Sequence, residues 1–319
     1  MDTDLHRPIL SFGEVLWDLL PDGPALGGAP LNFAARMQAF GHPTQIISRV
    51  GQDSLGQQAL LGIQKLGLST SCIQEDTHQP TGTVEIQLDA FGNADYHILQ
   101  SVAYDDIILP NETELLVPRA KVLYFGSLVQ RSLRARQTLK QIVAILPEDA
   151  MIVYDLNLRK DCYSRETIHA SLEMAQWMKC NEEESRWVAD TFELKANSLP
   201  ERAVEILERW HLEGVVMTLG SKGALAVTCS GQIVYQPGFQ VQALETIGAG
   251  DATTAAFVHH WLAKDPLPFC LRRGCALGSM VTTQHGATQS ISVNELNQWI
   301  RTAPLQVMDP TLEPWCKNP

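Results

Sequence analysis

The sequence predicts an α/β fold: a mostly parallel central sheet covered on both faces by helices, with a small β-sheet lid projecting from it. Three observations carry this expectation. Short β-rich runs alternate with amphipathic, capped segments along most of the chain, which is the pattern of stacked βαβ units. Two stretches break the rhythm with turn residues and strand alternation, and no internal repeat or low-complexity linker divides the chain.

Taken in order, LWDLLPDGPALGGAP (residues 16–30) is turn-rich with a short strand, and QIISRVG (45–51) reads as a buried strand. DSLGQQALLGIQKLG (53–67) reads as a helix, with Asp53 or Ser54 as its cap and Gly67 as its stop. Residues 81–99 alternate on either side of Phe91, Gly92 and Asn93, so an antiparallel hairpin is expected there. KVLYFGSL, MIVYDLN, QWMKCN and GVVMTLG supply further strands, and SLRARQTLKQIVAIL has the three-to-four spacing of a helix. This assigns residues 1–15, 31–80 and 106–319 to the α/β core and residues 16–30 and 81–105 to the lid. The Pro-rich tail from residue 302 is expected to pack loosely.

At 319 residues the chain is long enough for a large core, and 45% hydrophobic with 19% charged residues is the composition of a globular protein. A formal net charge of -12 argues against nucleic-acid and anionic-membrane partners, which call for a basic face. No apolar run is long enough to span a bilayer, and the first residues lack signal-peptide order, so a cytoplasmic location is expected. Seven cysteines, scattered and without a Cys-x-x-Cys pair, read as reduced thiols rather than a zinc site.

Five stretches can carry chemistry. In LETIGAGDATTAAF (244–257), Gly248 and Gly250 can turn main-chain N–H groups toward one point ahead of a helix, with Asp251 beside them. A helix cap and a phosphate site both fit that stretch. Thr218, Gly220, Ser221 and Gly223 end a strand where a nucleotide can approach the backbone, and a plain strand-ending turn fits equally. Asn181 and Glu184 stand three apart at a helix start, which suits either a capping box or water-mediated magnesium contacts. Asn157 and Arg159 follow a strand's carboxyl end, where ligands of open α/β sheets bind; Arg159 can steady a transferring phosphate or join a surface ion pair. Asp18, Gly27, Gly28 and Asn32 offer the carboxylate, amide and close backbone approach that sugar hydroxyls require.

As a set, these residues describe a small-molecule kinase, with Asp251 as general base and magnesium accompanying the nucleotide. Walker A, first-strand Gly-x-Gly-x-x-Gly and His-Glu-x-x-His motifs are absent. GGAPLNFAARMQAFG with VGQDSLG, then DLNLR, KCNEEE, TLGSKG and ETIGAGDATTAAF, resembles the ribokinase-like PfkB family of carbohydrate kinases, and its fructokinase-like branch most of all. The resemblance runs from about residue 12 to residue 291.

That resemblance implies a ribokinase-like three-layer α/β/α sandwich in which Asp251 is the base and Gly248, Ala249 and Gly250 are the anion hole. It implies that Asn181, Thr218, Gly220, Ser221, Gly223 and Gly250 bind ATP and that Glu184 holds Mg2+ through water. Arg159 then lies near the phosphates, while Asp18, Gly27, Gly28, Asn32 and Asp251 meet the sugar. Glu245 stands where the family usually has Asp beside a monovalent-cation (K+) site, Thr254 where an aromatic is frequent, and Gln100 or Tyr104 where a lid arginine often meets the sugar.

The expected reaction is transfer from ATP to D-fructose, giving fructose 6-phosphate. 2-Keto-3-deoxygluconate, ribose and a nucleoside are the alternative acceptors, and a non-catalytic sugar-binding regulator is the alternative of another class. A nicotinamide-dependent oxidoreductase fits the fold class but lacks the glycine fingerprint. An exposed lid edge would favour a homodimer through the lid.

Overall fold

The computed structural model describes residues 7–20, 23–88, 94–109, 111–302 and 305–316. Two compact units divide the chain, residues 1–150 and 151–319.

In the first unit the strands are β1 (Ile9–Phe12), β2 (Leu16–Leu20), β3 (Gly23–Gly27), β4 (Thr44–Gly51), β5 (Ile73–Asp76), β6 (Gly82–Leu88), β7 (Ala94–Ile98) and β8 (Val122–Gly126). Its helices are α1 (Ala29–Ala39), α2 (Ser54–Lys65), α3 (Asn111–Leu116) and α4 (Leu133–Ala144). β8, β1, β4 and β5 are joined in parallel, as the buried apolar runs require. Between β2 and α2, Val15, Trp17, Leu31, Ala34, Ile46, Ile63 and their neighbours form a continuous buried cluster. Asp53, not Ser54, caps α2, its carboxylate accepting the Gly56 N–H at 2.7 Å, and Gly67 follows the helix with φ +77°.

The two stretches that break the α/β rhythm meet in one separate sheet of order β3-β2-β6-β7. β6 and β7 pair antiparallel as the alternation predicts; the expected turn at Phe91, Gly92 and Asn93 lies outside the described residues. Residues 16–27 hold two antiparallel strands rather than one, because a Gly- and Pro-rich segment still pairs when it sits at a sheet edge. β2 joins β6 in parallel, so this hairpin does not extend the β1 sheet.

The second unit contains β9 (Met151–Asp155), α5 (Arg165–Met174), β10 (Trp177–Asn181), α6 (Glu182–Thr191), α7 (Leu199–Arg209) and β11 (Gly214–Thr218). β12 (Ala224–Thr228), β13 (Ile233–Gln236), β14 (Gly238–Phe239), α8 (Ala249–Leu262), α9 (Leu267–Thr282), α10 (Val293–Arg301) and β15 (Gln306–Val307) complete it. β9, β10 and β11 are parallel, and β12 and β13 turn the sheet antiparallel.

Trp177 anchors this unit. Its buried ring lies 4.7 Å from Trp261 and 5.1 Å from Phe257, both on α8, so α8 is held against the face of β10 that presents Trp177 and Lys179. A Cβ at Gly214 would stand 2.4 Å from that ring. Gly214→Ala is therefore expected to push the indole out of place and destabilise the fold by about 1–3 kcal/mol, read as a lowered denaturant midpoint at constant m.

Candidate active site

The centre of the second unit is a charged pair that apolar strands would not ordinarily hold. Parallel pairing of β9 with β10 sets Asp155 directly opposite Lys179. Lys179 Nζ donates to Asp155 Oδ1 at 3.1 Å, the carboxylate being wholly buried and the lysine nearly so. Burial alone would lower the lysine pKa, but Asp155, then Glu184 and Asp251, outweigh it and hold the ammonium charged, above the usual lysine range. Neither partner was anticipated from the sequence as a site residue. The available signal was one acid and one base, each at the end of a run that is otherwise apolar, in MIVYDLN and QWMKCN.

Asn181 and Glu184 form the capping box of α6. Asn181 Oδ1 accepts the Glu184 N–H and Glu184 Oε2 accepts the Asn181 N–H, both at 2.8 Å. Glu184 Oε1 takes a second backbone donor, the Leu158 N–H, at 2.9 Å, and so ties α6 to the loop after β9. Burial pushes the Glu184 carboxyl above its ordinary range, with Lys179 pulling the other way. Asn157, in the same loop, adopts φ +35°, and Arg159 two residues on is exposed.

α8 begins at Gly248, which takes the left-handed conformation with φ 76°. Asp251 is thus the third residue of the helix and not its cap, and its side chain is turned inward, 8% exposed. The Ala249 N–H donates to Thr246 O at 3.3 Å, a long bond that an incoming anion can displace. Lys179 reaches the underside of this turn, its Nζ only 2.9 Å from where a Cβ on Gly250 would stand. α9 closes the other side, for a Cβ at Gly278 would meet Thr253 Oγ1, and Thr253 and Thr254 hydroxyls donate to Ala249 O and Gly250 O at 2.9 and 3.0 Å. Thr254 also lines a small cavity with Trp177, Lys179, Phe257 and Val258, where an aromatic would have filled space. Glu245, before the turn, accepts the Gly286 N–H at 3.1 Å.

The turn after β11 is fixed from beneath. Gly223 has φ +98° and a Cβ there would overlap Gln236 O, whereas Gly220 and Ser221 are exposed with open space above Gly220. Thr218 Oγ1 donates to Cys180 O at 3.3 Å. The tail does not pack loosely here. Lys222 Nζ binds Asp309 Oδ2 at 2.9 Å, Tyr235 Oη donates to Lys222 O at 2.7 Å, and Leu312 is buried. Hydrogen bonds from Thr311 and Lys222 depress the Asp309 pKa to about 2.

In the first unit, Asp18 pairs with Ala25 across β2 and β3 and lies diagonal to Gly27, where an added Cβ would come 2.8 Å from Asp18 Oδ2. Gly28 caps α1 with φ +111°, and a Cβ there would strike Glu14 O at 2.4 Å. Asn32 follows one turn later, buried, its N–H donating to Gly28 O at 2.9 Å. Tyr104 is fully buried against Gly82, with the Arg131 guanidinium 5.1 Å from its ring. Gln100 remains exposed.

Among the described residues no group of three or more His, Cys, Asp or Glu could hold a metal ion unaided.

The sequence profile of the pfkB family carbohydrate kinases matches residues 24–294. A fructokinase of Solanum tuberosum is 28% identical over 310 residues, 89% of this chain and 92% of that protein. Among solved structures, fructokinase of Xylella fastidiosa with bound ATP superposes with a TM-score of 0.82 at 20% identity, over 93% of this chain and 99% of that one. Fructokinase of Vibrio cholerae with fructose, ADP and calcium gives 0.77 at 24% identity, over 92% and 98%. The chain has the ribokinase-like α/β fold, a large mostly parallel sheet with a smaller one.

Asp309→Asn is expected to loosen the 218–223 turn, lowering the melting temperature slightly. Because the folded pKa lies below the unfolded 3.8, the wild-type advantage is complete above that value and disappears as pH falls through about 2. Thermal melts of both proteins across this range read it.

Proposed function

This chain belongs to the pfkB family of carbohydrate kinases, and on that premise we propose that it transfers the γ-phosphoryl group of ATP to a primary hydroxyl of a ketose, D-fructose giving fructose 6-phosphate. The observation that carries the proposal is the position of Asp251: a buried carboxylate in the first turn of α8, directly behind a left-handed glycine. There it takes the proton of the attacking hydroxyl while the Gly248-Ala249-Gly250 turn and the positive end of α8 receive phosphate charge.

Asp18, Gly27, Gly28 and Asn32 grip the sugar hydroxyls; the close approach of Asp18 to Gly27 supports this, as does the Gly-Gly-Ala-Pro-x-Asn form of the block. Asn181, Thr218, Gly220, Ser221 and Gly223 hold the nucleotide, whose ring or ribose can lie over the open backbone at Gly220. Arg159, exposed and with its guanidinium donating to Leu158 O at 3.2 Å, is the side chain we assign to the phosphates. Glu184 would meet the magnesium of MgATP through water, and the ion would offset phosphate charge. Potassium is a further ligand to test, since Glu245 stands one methylene longer beside its proposed position.

The separate sheet of β2, β3, β6 and β7 is our candidate for a lid. Its edge strands β3 and β7 can pair with a second copy, giving a homodimer. The protein works in the cytoplasm; no helix among the described residues is long and apolar enough to cross a membrane.

The test is ADP release with magnesium ATP against fructose, ribose, 2-keto-3-deoxygluconate, glucose, mannose, tagatose and adenosine, with and without potassium. Fructose should give the largest kcat/KM. A silent panel with ATP binding intact would instead favour the non-catalytic sugar binder. Asp251→Asn should leave ATP and sugar dissociation constants within a few-fold of wild type and cut kcat by about 10²-fold to 10⁴-fold. Sedimentation at micromolar concentration should show a dimer, and a monomer there would remove the lid interface.

A further inference from the structure

The assigned roles leave the most heavily buried charged pair in the second unit without a function. Lys179 and Asp155 are too deep to meet solvent, and apolar residues of similar size would fill β9 and β10 at lower cost. The pair also has a direction. Asp155 holds the ammonium from the strand side at 3.1 Å, and the ammonium's other side faces Gly250, within 2.9 Å of where a Cβ would stand. Gly250 is the second residue of α8, in the turn assigned above to the anion hole. No side chain at 250 separates the lysine from the helix backbone, and Thr254 completes the contact by donating to Gly250 O at 3.0 Å.

We propose that Lys179 is a positioning residue for phosphoryl transfer: clamped by Asp155, its ammonium supports the Gly248–Gly250 turn from below and gives the anion hole a fixed positive charge. The proposal rests on the kinase reading above and adds a residue to it. A backbone cradle by itself supplies partial charges of N–H dipoles, which must stay aimed while phosphate charge grows. A full charge embedded in low dielectric behind the cradle acts on that growing charge without direct contact, and needs no reorganisation when it does so. It also explains the residue at 250, because any larger side chain would displace the ammonium toward Asp155. The carboxylates of Asp155, Glu184 and Asp251 around it keep the lysine protonated across the working pH range.

The charge serves the transferring group and not the nucleotide as a whole, so ground-state and transition-state binding should separate. MgADP affinity is measured by calorimetry, with and without aluminium fluoride and the acceptor sugar, for wild type, Lys179→Met, Lys179→Arg and the double variant Lys179→Met with Asp155→Asn. The double variant removes both charges together and guards against a fold lost to a lone buried carboxylate. MgADP alone should bind all four proteins within about threefold. Tightening by aluminium fluoride, and kcat, should fall on the order of 10-fold to 100-fold in the two neutral variants, with KM for ATP little changed. Lys179→Arg, which keeps the charge, should recover part of both.

A neutral double variant with wild-type kcat and wild-type tightening overturns the proposal and leaves the kinase reading intact. Parallel loss of MgADP affinity and kcat overturns it too, since that is what a purely structural pair would give. A wild-type protein that binds neither MgADP nor MgADP with aluminium fluoride overturns the kinase reading, and this proposal with it.

Discussion

A buried ammonium must be matched by fixed oxygen atoms, and the second unit is arranged around that requirement at Lys179. The strand register that brings Asp155 opposite it is the same register that aligns Trp177 with Val153, so one pairing satisfies the charge and seats the ring that holds α8. Slipping β10 by one residue would send Lys179 and Trp177 to the other face together. Charge and packing therefore enforce a single alignment. α8, placed by it, carries Gly250 and Asp251 on a rigid element where small displacements are resisted.

The same economy of space recurs between α8 and α9. Gly274 and Gly278 let α9 approach until a methyl group would meet Thr253, and Thr253 in turn bonds Ala249 O. The N-terminal turn of α8 is thereby held on one side by a helix lacking side chains at two positions and on the other by a lysine tip. The residues from Ala252 to Ala256 are small and buried, which lets this end of α8 pack closely against its neighbours.

Local chemistry made much of this legible. The Asp53 cap, the Gly67 stop, the parallel strands and the antiparallel partner strands β6 and β7 follow from spacing and turn residues that act within a few positions. What was not legible depends on distance along the chain. β12 and β13 were not anticipated, because the turn at 219–223 reads as a ligand loop and only its pairing shows that it also reverses the chain. Asp251 reads as a cap until Gly248, three residues earlier, is seen to take the left-handed conformation that opens the helix. Tyr104 stands, with Gln100, where a lid arginine often meets the sugar, yet the absence of a side chain at Gly82 makes the hole that buries it. Lys179 was passed over because a single base in a strand says nothing of its partner on the next one.

The brace from Asp309 to Lys222 joins residues 87 positions apart. During synthesis the glycine turn leaves the ribosome first and its support follows later, on the order of ten seconds at ~5–20 residues per second. Over that interval the sheet can assemble through β9, β10 and β11 while the turn still lacks its fixed conformation. Maturation of the nucleotide side is thus ordered in time by the chain itself, and a chain stalled or clipped before residue 305 would present a folded sheet with an unsupported turn, a species that proteolysis can distinguish at its glycines.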